Sequence, residues 1–253
     1  MKSIFDRPRA ARFISHRGFQ PLAPANSLPG FAYAGQMGQW AIETDVRMTA
    51  DGELVCCHDA EVDALFDGSG SIADMTWEAL SSLRMTTGNR RGCFPEAILR
   101  MPRFVEYLNI CRHAGSIPFI EVKTDDVEAV IATLHEKGWD DREVIMSSSS
   151  LERLVETRRL APEMFIHWIF AREEQLGELA ALGNAGLSWK IDDAFSCPPE
   201  KIALAHDLGL KVCLRAADDE ATVRHMVALG LDYLPSNCMH APMTLDLSGG
   251  RVR

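Results

Sequence analysis

The sequence predicts an α/β fold, a (β/α)8 TIM barrel with a small insertion after its second strand. Short apolar runs rich in β-branched residues alternate along the chain with segments whose apolar residues recur at helical spacing. Strands that alternate with helices of this length indicate βαβ units and a parallel sheet. The chain has 253 residues, and α/β barrels often reach about 250 residues as one unit. We therefore expect a single domain over residues 1–253, with an open doubly wound sheet as the alternative.

The repeated units can be placed in order along the chain. The first strand is predicted over 12–16, and a helix over 27–38 follows it with Pro29 and Gly30 near its start. The second strand is predicted over 41–45. The later strands are predicted over 117–123, 143–147, 164–168, 186–191, 210–214 and 231–236. The helices that precede them are predicted over 101–114, 127–137, 151–160, 173–182, 199–208 and 220–229.

The stretch at roughly 46–100 departs from this alternation. Residues 54–58 form another extended run, and Asp51-Gly52 before it is a typical hairpin turn. A short helix is predicted over 76–83, between loops marked by Gly68-Ser69-Gly70 and by residues 88–94. We expect an insertion here rather than a second domain, because so short a segment buries little core of its own.

Composition and charge narrow the possible functions. The net charge is −10 and no basic run occurs, so nucleic-acid binding is not expected. No stretch approaches about 18 apolar residues, so no stable membrane insertion is expected, and the first residues lack the apolar core of a signal peptide. Seven cysteines without a CxxC pair indicate reduced thiols in a cytoplasmic protein, and a zinc site is the weaker interpretation. The expected partner is a small molecule, and an oligomer is possible.

Three acidic residues stand where predicted strands end, which is where barrels of this type carry their active sites. Glu43 and Asp45 are two residues apart on the second strand, so their side chains share one face. Glu121 ends the next strand of the barrel. Carboxylates gathered in a barrel cannot all stay ionised without a nearby cation, and three of them would suit Mg²⁺ or Ca²⁺. The alternative is that these acids lie on a solvated strand edge.

Two histidines and two cations share this end of the predicted barrel. His16 and Arg17 end the first strand, His58 ends the extended run of the insertion, and Lys123 follows Glu121. Histidine titrates nearest to neutral pH, so His16 and His58 form a natural pair for proton transfer. A histidine at a strand end is more often a hydrogen-bonded structural residue, and that interpretation stays open.

A set of short motifs extends over nearly the whole chain. Its core consists of His16-Arg17-Gly18, Ile42-Glu43-Thr44-Asp45-Val46 and His58-Asp59. Other members are Pro24-Ala25-Asn26-Ser27, Thr49-Ala50-Asp51-Gly52, Gly68-Ser69-Gly70, Asp74-Met75-Thr76, Met101-Pro102 and Ile120-Glu121-Val122-Lys123. In this order the motifs resemble the glycerophosphodiester phosphodiesterase family, and the combination is specific although no single motif is.

The resemblance implies a TIM barrel that hydrolyses a small phosphodiester bearing a glycerol-like hydroxyl. It implies a divalent metal cofactor, Mg²⁺ or Ca²⁺, with Mn²⁺ as a further candidate. The implied metal ligands are Glu43, Asp45 and Glu121. The implied acid–base pair is His16 and His58. The implied phosphate contacts are Arg17 and Lys123.

The chain departs from the family pattern around the expected mouth of the site. Ala25 stands where the family has Glu, and Ala64 stands where it has Arg. The strings around Arg215 and around Met239-His240 also differ from the family's. Arg215 and His240 are either substrate contacts or surface residues, and the sequence leaves both interpretations open.

The same residues leave room for other functions. The alternatives are a phosphodiesterase for an unusual sugar or lysolipid diester, and a catalytically weak barrel that binds a phosphorylated metabolite. A metal-dependent isomerase or aldolase would also place carboxylates at the barrel top, although the order of the motifs argues against it. Trp168 and Phe195 either line the alcohol side of the site or pack within the fold.

Overall fold

Parallel strands wrap into a nearly closed barrel, as the alternation in the sequence predicts. The computed structural model describes residues 4–6, 12–191, 193–237, 245–246 and 251–252. The strands of the main sheet are β1 (Phe13–Ser15), β2 (Ala41–Met48), β3 (Leu54–Cys56), β4 (Ile117–Val122), β5 (Ile145–Ser148), β6 (Phe165–Ile169), β7 (Ala185–Ser188), β8 (Lys211–Cys213) and β9 (Leu234–Ser236). Their order is β8-β7-β6-β5-β4-β2-β1-β9, and β3 pairs with β2. Within the described ranges, eight of these strands run parallel, and β3 alone is antiparallel to its neighbour.

The two ends of this sheet, β8 and β9, meet through a few contacts. The backbone N–H of Asp232 donates to the Val212 carbonyl at 2.9 Å, and its carboxylate accepts from the Val212 N–H at 2.9 Å. A parallel bridge also joins Ala217 to Ser236. These contacts bring β8 beside β9, so the C-terminal ends of the strands face one common opening. Outside the barrel, β10 (Leu245–Asp246) pairs with β11 (Arg251–Val252).

Helices separate the strands in the predicted order. The α-helices are α1 (Leu28–Gln36), α2 (Trp77–Ser82), α3 (Phe104–Ala114), α4 (Val127–Glu136), α5 (Leu151–Leu160), α6 (Leu176–Ala181), α7 (Pro199–Asp207) and α8 (Glu220–Ala228). Short 3₁₀ turns cover Ile4–Asp6, Ile72–Asp74, Arg91–Cys93, Glu96–Ile98, Asp141–Glu143, Glu173–Gln175 and Ala194–Ser196. None of the helices in the described part of the chain has the length and apolar character that a membrane span requires.

The element ends differ from the prediction where local chemistry intervenes. The helix predicted from residue 101 begins at Phe104, because the two preceding residues lie extended beside β3, where the Cys56 N–H donates to the Pro102 carbonyl at 2.9 Å and Arg103 forms a bridge with Val55. Strand β2 continues to Met48, three residues beyond the predicted end, because β3 pairs with it through Val46 and Cys56. The strand predicted over 186–191 ends at Ser188.

Apolar side chains fill the space on both sides of the barrel wall. One cluster inside the barrel includes Ile14, Phe119 and Tyr233, and larger clusters lie between the strands and the surrounding helices. The insertion also has a small apolar cluster, which includes Phe66 and Met85. The organisation of the whole chain as one domain stays a prediction.

The thiols of the described cysteines are free. All of them except Cys93 are buried. Cys238 lies outside the described residues, as do Met239 and His240.

Candidate active site

The three predicted carboxylates come together on two neighbouring strands. Asp45 of β2 lies in register with Glu121 of β4, and Glu43 shares the face of Asp45 two residues earlier. One oxygen from each side chain lies within 4.8 Å of the others. Asp45 is fully buried, Glu43 is buried and Glu121 is partly buried. The spacing in the sequence therefore leads to one compact acidic cluster.

The acids of this cluster shift one another's ionisation. Burial raises the pKa of Glu43 well above its usual value, and the charges of Asp45 and Glu121 raise it further. Burial and the charge of Asp45 also raise the pKa of Glu121. Burial opposes ionisation of Asp45 too, but the charges of Lys123 and Arg17 hold its pKa below the usual value. Two of the three acids thus lack enough nearby positive charge to ionise readily.

The donor set fits a hard divalent cation. Carboxylate oxygens are the ligands that Mg²⁺ and Ca²⁺ prefer. Oδ1 of Asp45 is buried and lies 3.3 Å from Lys123 Nζ, yet no described residue donates a well-directed hydrogen bond to it. A cation within the cluster would use this oxygen and would also remove the repulsion that raises the pKa of Glu43.

Asn26 holds the second oxygen of Asp45. Its Nδ2 donates to Asp45 Oδ2 at 2.8 Å, and its Oδ1 accepts from Thr44 Oγ1 at 2.8 Å. Its backbone N–H donates to the Arg17 carbonyl at 2.9 Å. Asn26 has φ +48°, and asparagine tolerates such left-handed geometry better than most residues. The sequence contains Asn26 within a family motif but does not reveal this role, since the contact depends on how the loop folds back.

The His16-Arg17-Gly18 turn places a backbone donor against the acidic cluster. Arg17 has φ +55° and Gly18 has φ +76°. This turn directs the N–H of Arg17 to Glu43 Oε2 at 2.5 Å and that of Gly18 to the Glu43 carbonyl at 3.2 Å. A Cβ on Gly18 would lie 2.8 Å from the carbonyl carbon of Gly30, so only glycine fits there. Non-glycine residues held at positive φ cluster at functional sites, and Arg17 is one of them.

The two predicted cations also approach the carboxylates. Lys123 Nζ donates to Glu121 Oε1 at 2.6 Å and lies 3.3 Å from Asp45 Oδ1. Arg17 Nε lies 3.4 Å from Asp45 Oδ2. Both side chains also line the cavity above the cluster. A ligand that enters the cavity therefore meets these two cations beside the carboxylates of Glu43 and Glu121.

His58 arrives from the insertion, beyond the end of β3. The Cys57 N–H donates to the Asp45 carbonyl at 3.0 Å, which extends the β2–β3 pairing to the edge of the site. Arg47 donates two hydrogen bonds to the His58 carbonyl, at 3.1 and 2.7 Å. The ring Nδ1 of His58 lies 2.7 Å from Asp59 Oδ1. Backbone and ring are thus both fixed by neighbours.

A cavity of about 580 Å³ opens at the C-terminal ends of the strands. Six of the seven predicted site residues line it, and Asp45 lies buried beneath it. The six are His16, Arg17, Glu43, His58, Glu121 and Lys123. The opposite wall includes Phe170, Lys190, Ile191, Arg215 and Asn237.

The residues that line this opposite wall are only partly those that the sequence suggested. Arg215 lines the cavity, whereas His240 lies outside the described residues. Trp168 is buried with its Nε1 donating to the Ser149 carbonyl at 3.2 Å, and Phe195 stacks on His225, so neither is among the lining residues. The aromatic side chain at the mouth is instead Phe170, which has φ +59° and is 52% exposed.

Two further polar residues from the region of β6 and β7, His167 and Lys190, also line the cavity. His167 lies within β6 at the bottom of the cavity, where its ring contacts the Tyr233 hydroxyl and lies 3.3 Å from Ser188 Oγ. Burial lowers the pKa of His167 to about 3. Lys190 lies two residues beyond the end of β7 and is exposed.

Comparison with known proteins identifies the family. The family model described as the glycerophosphoryl diester phosphodiesterase family matches residues 16–238. The chain belongs to this family. Membership makes it a phosphoric diester hydrolase, and it confirms the resemblance found in the sequence motifs.

Individual relatives agree with this family. A glycerophosphodiester phosphodiesterase of Caldanaerobacter subterraneus subsp. tengcongensis is 31% identical over 247 residues, which cover 94% of this chain and 98% of that protein. A solved phosphodiesterase of Oleispira antarctica, in complex with the product sn-glycerol-3-phosphate, superposes with a TM-score of 0.80 at 24% identity, over 92% of this chain and 95% of that one. A putative family member of Silicibacter pomeroyi superposes at 0.78 with 23% identity, over 95% and 94% of the two chains. Both structures share the barrel fold.

Proposed function

We propose that this protein hydrolyses glycerophosphodiesters to an alcohol and glycerol 3-phosphate. The observation that carries the proposal is the cluster of Glu43, Asp45 and Glu121, whose oxygens lie within 4.8 Å of one another next to a cavity lined by two imidazoles. The glycerol 3-phosphate in the related Oleispira antarctica structure supports this choice of product.

The carboxylates of the cluster would hold a divalent cation, Mg²⁺, Ca²⁺ or Mn²⁺. Such a cation supplies Lewis acidity, which stabilises negative charge on a phosphoryl group. Asp45 is the anchor of the proposed site because Lys123, Arg17 and Asn26 keep it ionised and oriented. Glu43 and Glu121 complete the set from two adjacent strands.

Arg17 and Lys123 would bind the phosphodiester itself. Both side chains line the cavity, and Arg17 Nε and Lys123 Nζ each lie near a carboxylate of the cluster. A guanidinium and an ammonium fixed in this way can stabilise the charge that grows on phosphoryl oxygens. Because their positions are set before the substrate arrives, little reorganisation is needed during the reaction.

His16 and His58 would move the protons. In the first step the glycerol hydroxyl attacks phosphorus, the bond from phosphorus to the alcohol oxygen breaks, and a cyclic phosphate forms. One imidazole takes the proton of the attacking hydroxyl and the other gives a proton to the departing alcohol. Water then opens the cyclic phosphate with the two roles exchanged.

The test is release of glycerol 3-phosphate from a panel of glycerophosphodiesters, which includes the choline, ethanolamine and inositol forms. The assay is run with Mg²⁺, Ca²⁺ and Mn²⁺ in turn, and with a chelator as the blank. We expect cation-dependent turnover on at least one diester and a loss of about 100-fold or more for His58→Ala. Absence of turnover on the whole panel, by protein shown to bind the cation, contradicts the proposal.

A further inference from the structure

The side chain of Gln20 contacts the imidazole of His16 from the loop after β1. Its Nε2 donates to the backbone carbonyl of His16 at 2.9 Å and lies 3.1 Å from Nδ1 of the same residue. Both contacts use one NH₂ group, which has two hydrogens to donate. The carbonyl sets the orientation of the amide, because the reversed amide would bring Oε1 against another oxygen. Nδ1 of His16 is therefore the acceptor in this contact.

This contact determines which ring nitrogen carries the proton. Burial, followed by the charge of Arg17, lowers the pKa of His16 to about 4, so the ring is neutral near pH 7. A neutral imidazole has one donor and one acceptor nitrogen. With Nδ1 accepting from Gln20, the hydrogen lies on Nε2. His16 lines the cavity, and the described residues give Nε2 no hydrogen-bond partner.

The insertion holds Gln20 in place. Asn89 Nδ2 donates to the Gln20 carbonyl at 2.9 Å. Gly88, beside it, packs so closely that a Cβ there would lie 2.6 Å from the Cβ of Pro24. These contacts connect a loop of the insertion to the loop that follows His16. The backbone at Gln20 is thus held by a segment far away in the sequence.

We propose that Gln20 is a positioning residue that keeps the hydrogen of neutral His16 on Nε2 and so presents a hydrogen-bond donor to the phosphodiester. The catalytic consequence rests on the proposed function, whereas the position of the hydrogen is measurable without any substrate.

The test combines ¹⁵N NMR of the histidine rings with steady-state kinetics. Ring ¹⁵N shifts of the metal-free protein at pH 7.5 distinguish protonated from unprotonated nitrogens, and His16→Asn assigns the signals. Gln20→Met keeps the length of the side chain but removes the donor, and Gln20→Glu leaves only an acceptor. The matched control is Gln36→Met, at the exposed end of α1.

We expect wild-type His16 to be unprotonated at Nδ1, and Gln20→Glu to place a hydrogen there. Both Gln20 variants should lose about 10- to 100-fold in kcat with little change in KM, while Gln36→Met keeps the wild-type values. A wild-type ring protonated at Nδ1, or unchanged shifts in Gln20→Glu, would overturn the proposal, as would full kcat in both Gln20 variants. A wild-type protein with the expected shifts but no turnover on any diester would support the hydrogen position and refute the proposed function instead.

Discussion

Asp45 on β2 and Glu121 on β4 lie directly opposite each other in the parallel register of the barrel. Lys123 lies near both, with its Nζ 3.3 Å from Asp45 Oδ1 and 2.6 Å from Glu121 Oε1. Its single charge is shared between two acids, while Glu43 adds a third carboxylate whose pKa is raised by burial and repulsion. The unbalanced negative charge of this cluster supports the proposal that it binds a divalent cation.

Glu43→Gln should have opposite effects on the two forms of the protein. Without a cation it removes a buried acid that is repelled by Asp45 and Glu121, so the melting temperature should rise. With Mn²⁺ it removes a proposed ligand, so the affinity for Mn²⁺ should fall about 10-fold or more. Calorimetric titration and thermal unfolding with and without Mn²⁺ measure both effects. Exposed Glu178→Gln is the control, and a Glu43→Gln protein with wild-type Mn²⁺ affinity would contradict the assignment.

Asn26→Ala should weaken both stability and the site. The change leaves Asp45 Oδ2 and Thr44 Oγ1 without their buried partner, which costs about 1–3 kcal/mol of unfolding free energy. Loss of a residue that orients a metal ligand typically lowers metal affinity about 10- to 100-fold. Urea unfolding and Mn²⁺ titration test the two effects, with Asn109→Ala on the exposed face of α3 as the control. Unchanged Mn²⁺ affinity would show that Asn26 does not orient Asp45.

Gly18→Ala should destabilise the protein more than Gly209→Ala does. Both glycines have φ +76°, so both variants incur the cost of left-handed backbone, about 1–2 kcal/mol. Only the Cβ at Gly18 meets backbone, at 2.8 Å from the Gly30 carbonyl carbon, whereas nothing lies within 4 Å at Gly209. Urea unfolding of the two variants isolates the steric contribution. Equal losses of unfolding free energy in the two variants would mean that the contact between the new Cβ and the backbone of α1 relaxes without an energetic cost.

His167 should make the fold less stable as the pH falls. Burial lowers its pKa from 6.5 to about 3 in the folded protein. Between these pH values the histidine of the unfolded chain binds a proton that the buried ring of the native protein does not. This ring therefore leaves the free energy of unfolding intact above pH 6.5 and lowers it progressively from pH 6.5 toward pH 3. While this ring is the only group whose protonation differs, the free energy of unfolding falls by at most about 1.4 kcal/mol for each pH unit.

The variant His167→Gln measures this contribution. The difference in unfolding free energy between wild type and variant should shrink as the pH is lowered from 7 to 4. Exposed His113→Gln serves as the control for the loss of a histidine. A difference that stays constant with pH would show that His167 is protonated in the folded state or titrates normally there.

The barrel and its acidic cluster could be predicted because each depends on a local regularity. The alternation of strands and helices indicates parallel units, and the two-residue spacing of Glu43 and Asp45 places both on one face. Glu121 joins them because β4 is the neighbour of β2 in the sheet. These relationships follow from backbone periodicity and need no knowledge of loop conformation.

The residues that orient the site, Asn26 and Gln20, and the opposite wall of the cavity could not be predicted in this way. Asn26 and Gln20 act through loops at positive φ or through contacts with the insertion, and sequence spacing does not encode such contacts. At the opposite wall of the cavity, Trp168 and Phe170 are two residues apart, so strand periodicity alone would place both side chains on the same face. The backbone at Phe170 instead turns to φ +59° after β6 ends, which brings Phe170 to the mouth while Trp168 is buried.

Anomalous diffraction from crystals soaked in Mn²⁺ tests the central claim most directly. The claim is that one divalent cation binds among Glu43, Asp45 and Glu121 at the cavity lined by His16 and His58. We expect one strong anomalous peak in contact with an oxygen of each of the three carboxylates, and its loss in crystals of Asp45→Asn. Crystals saturated with Mn²⁺ that show no peak among these oxygens would contradict the account.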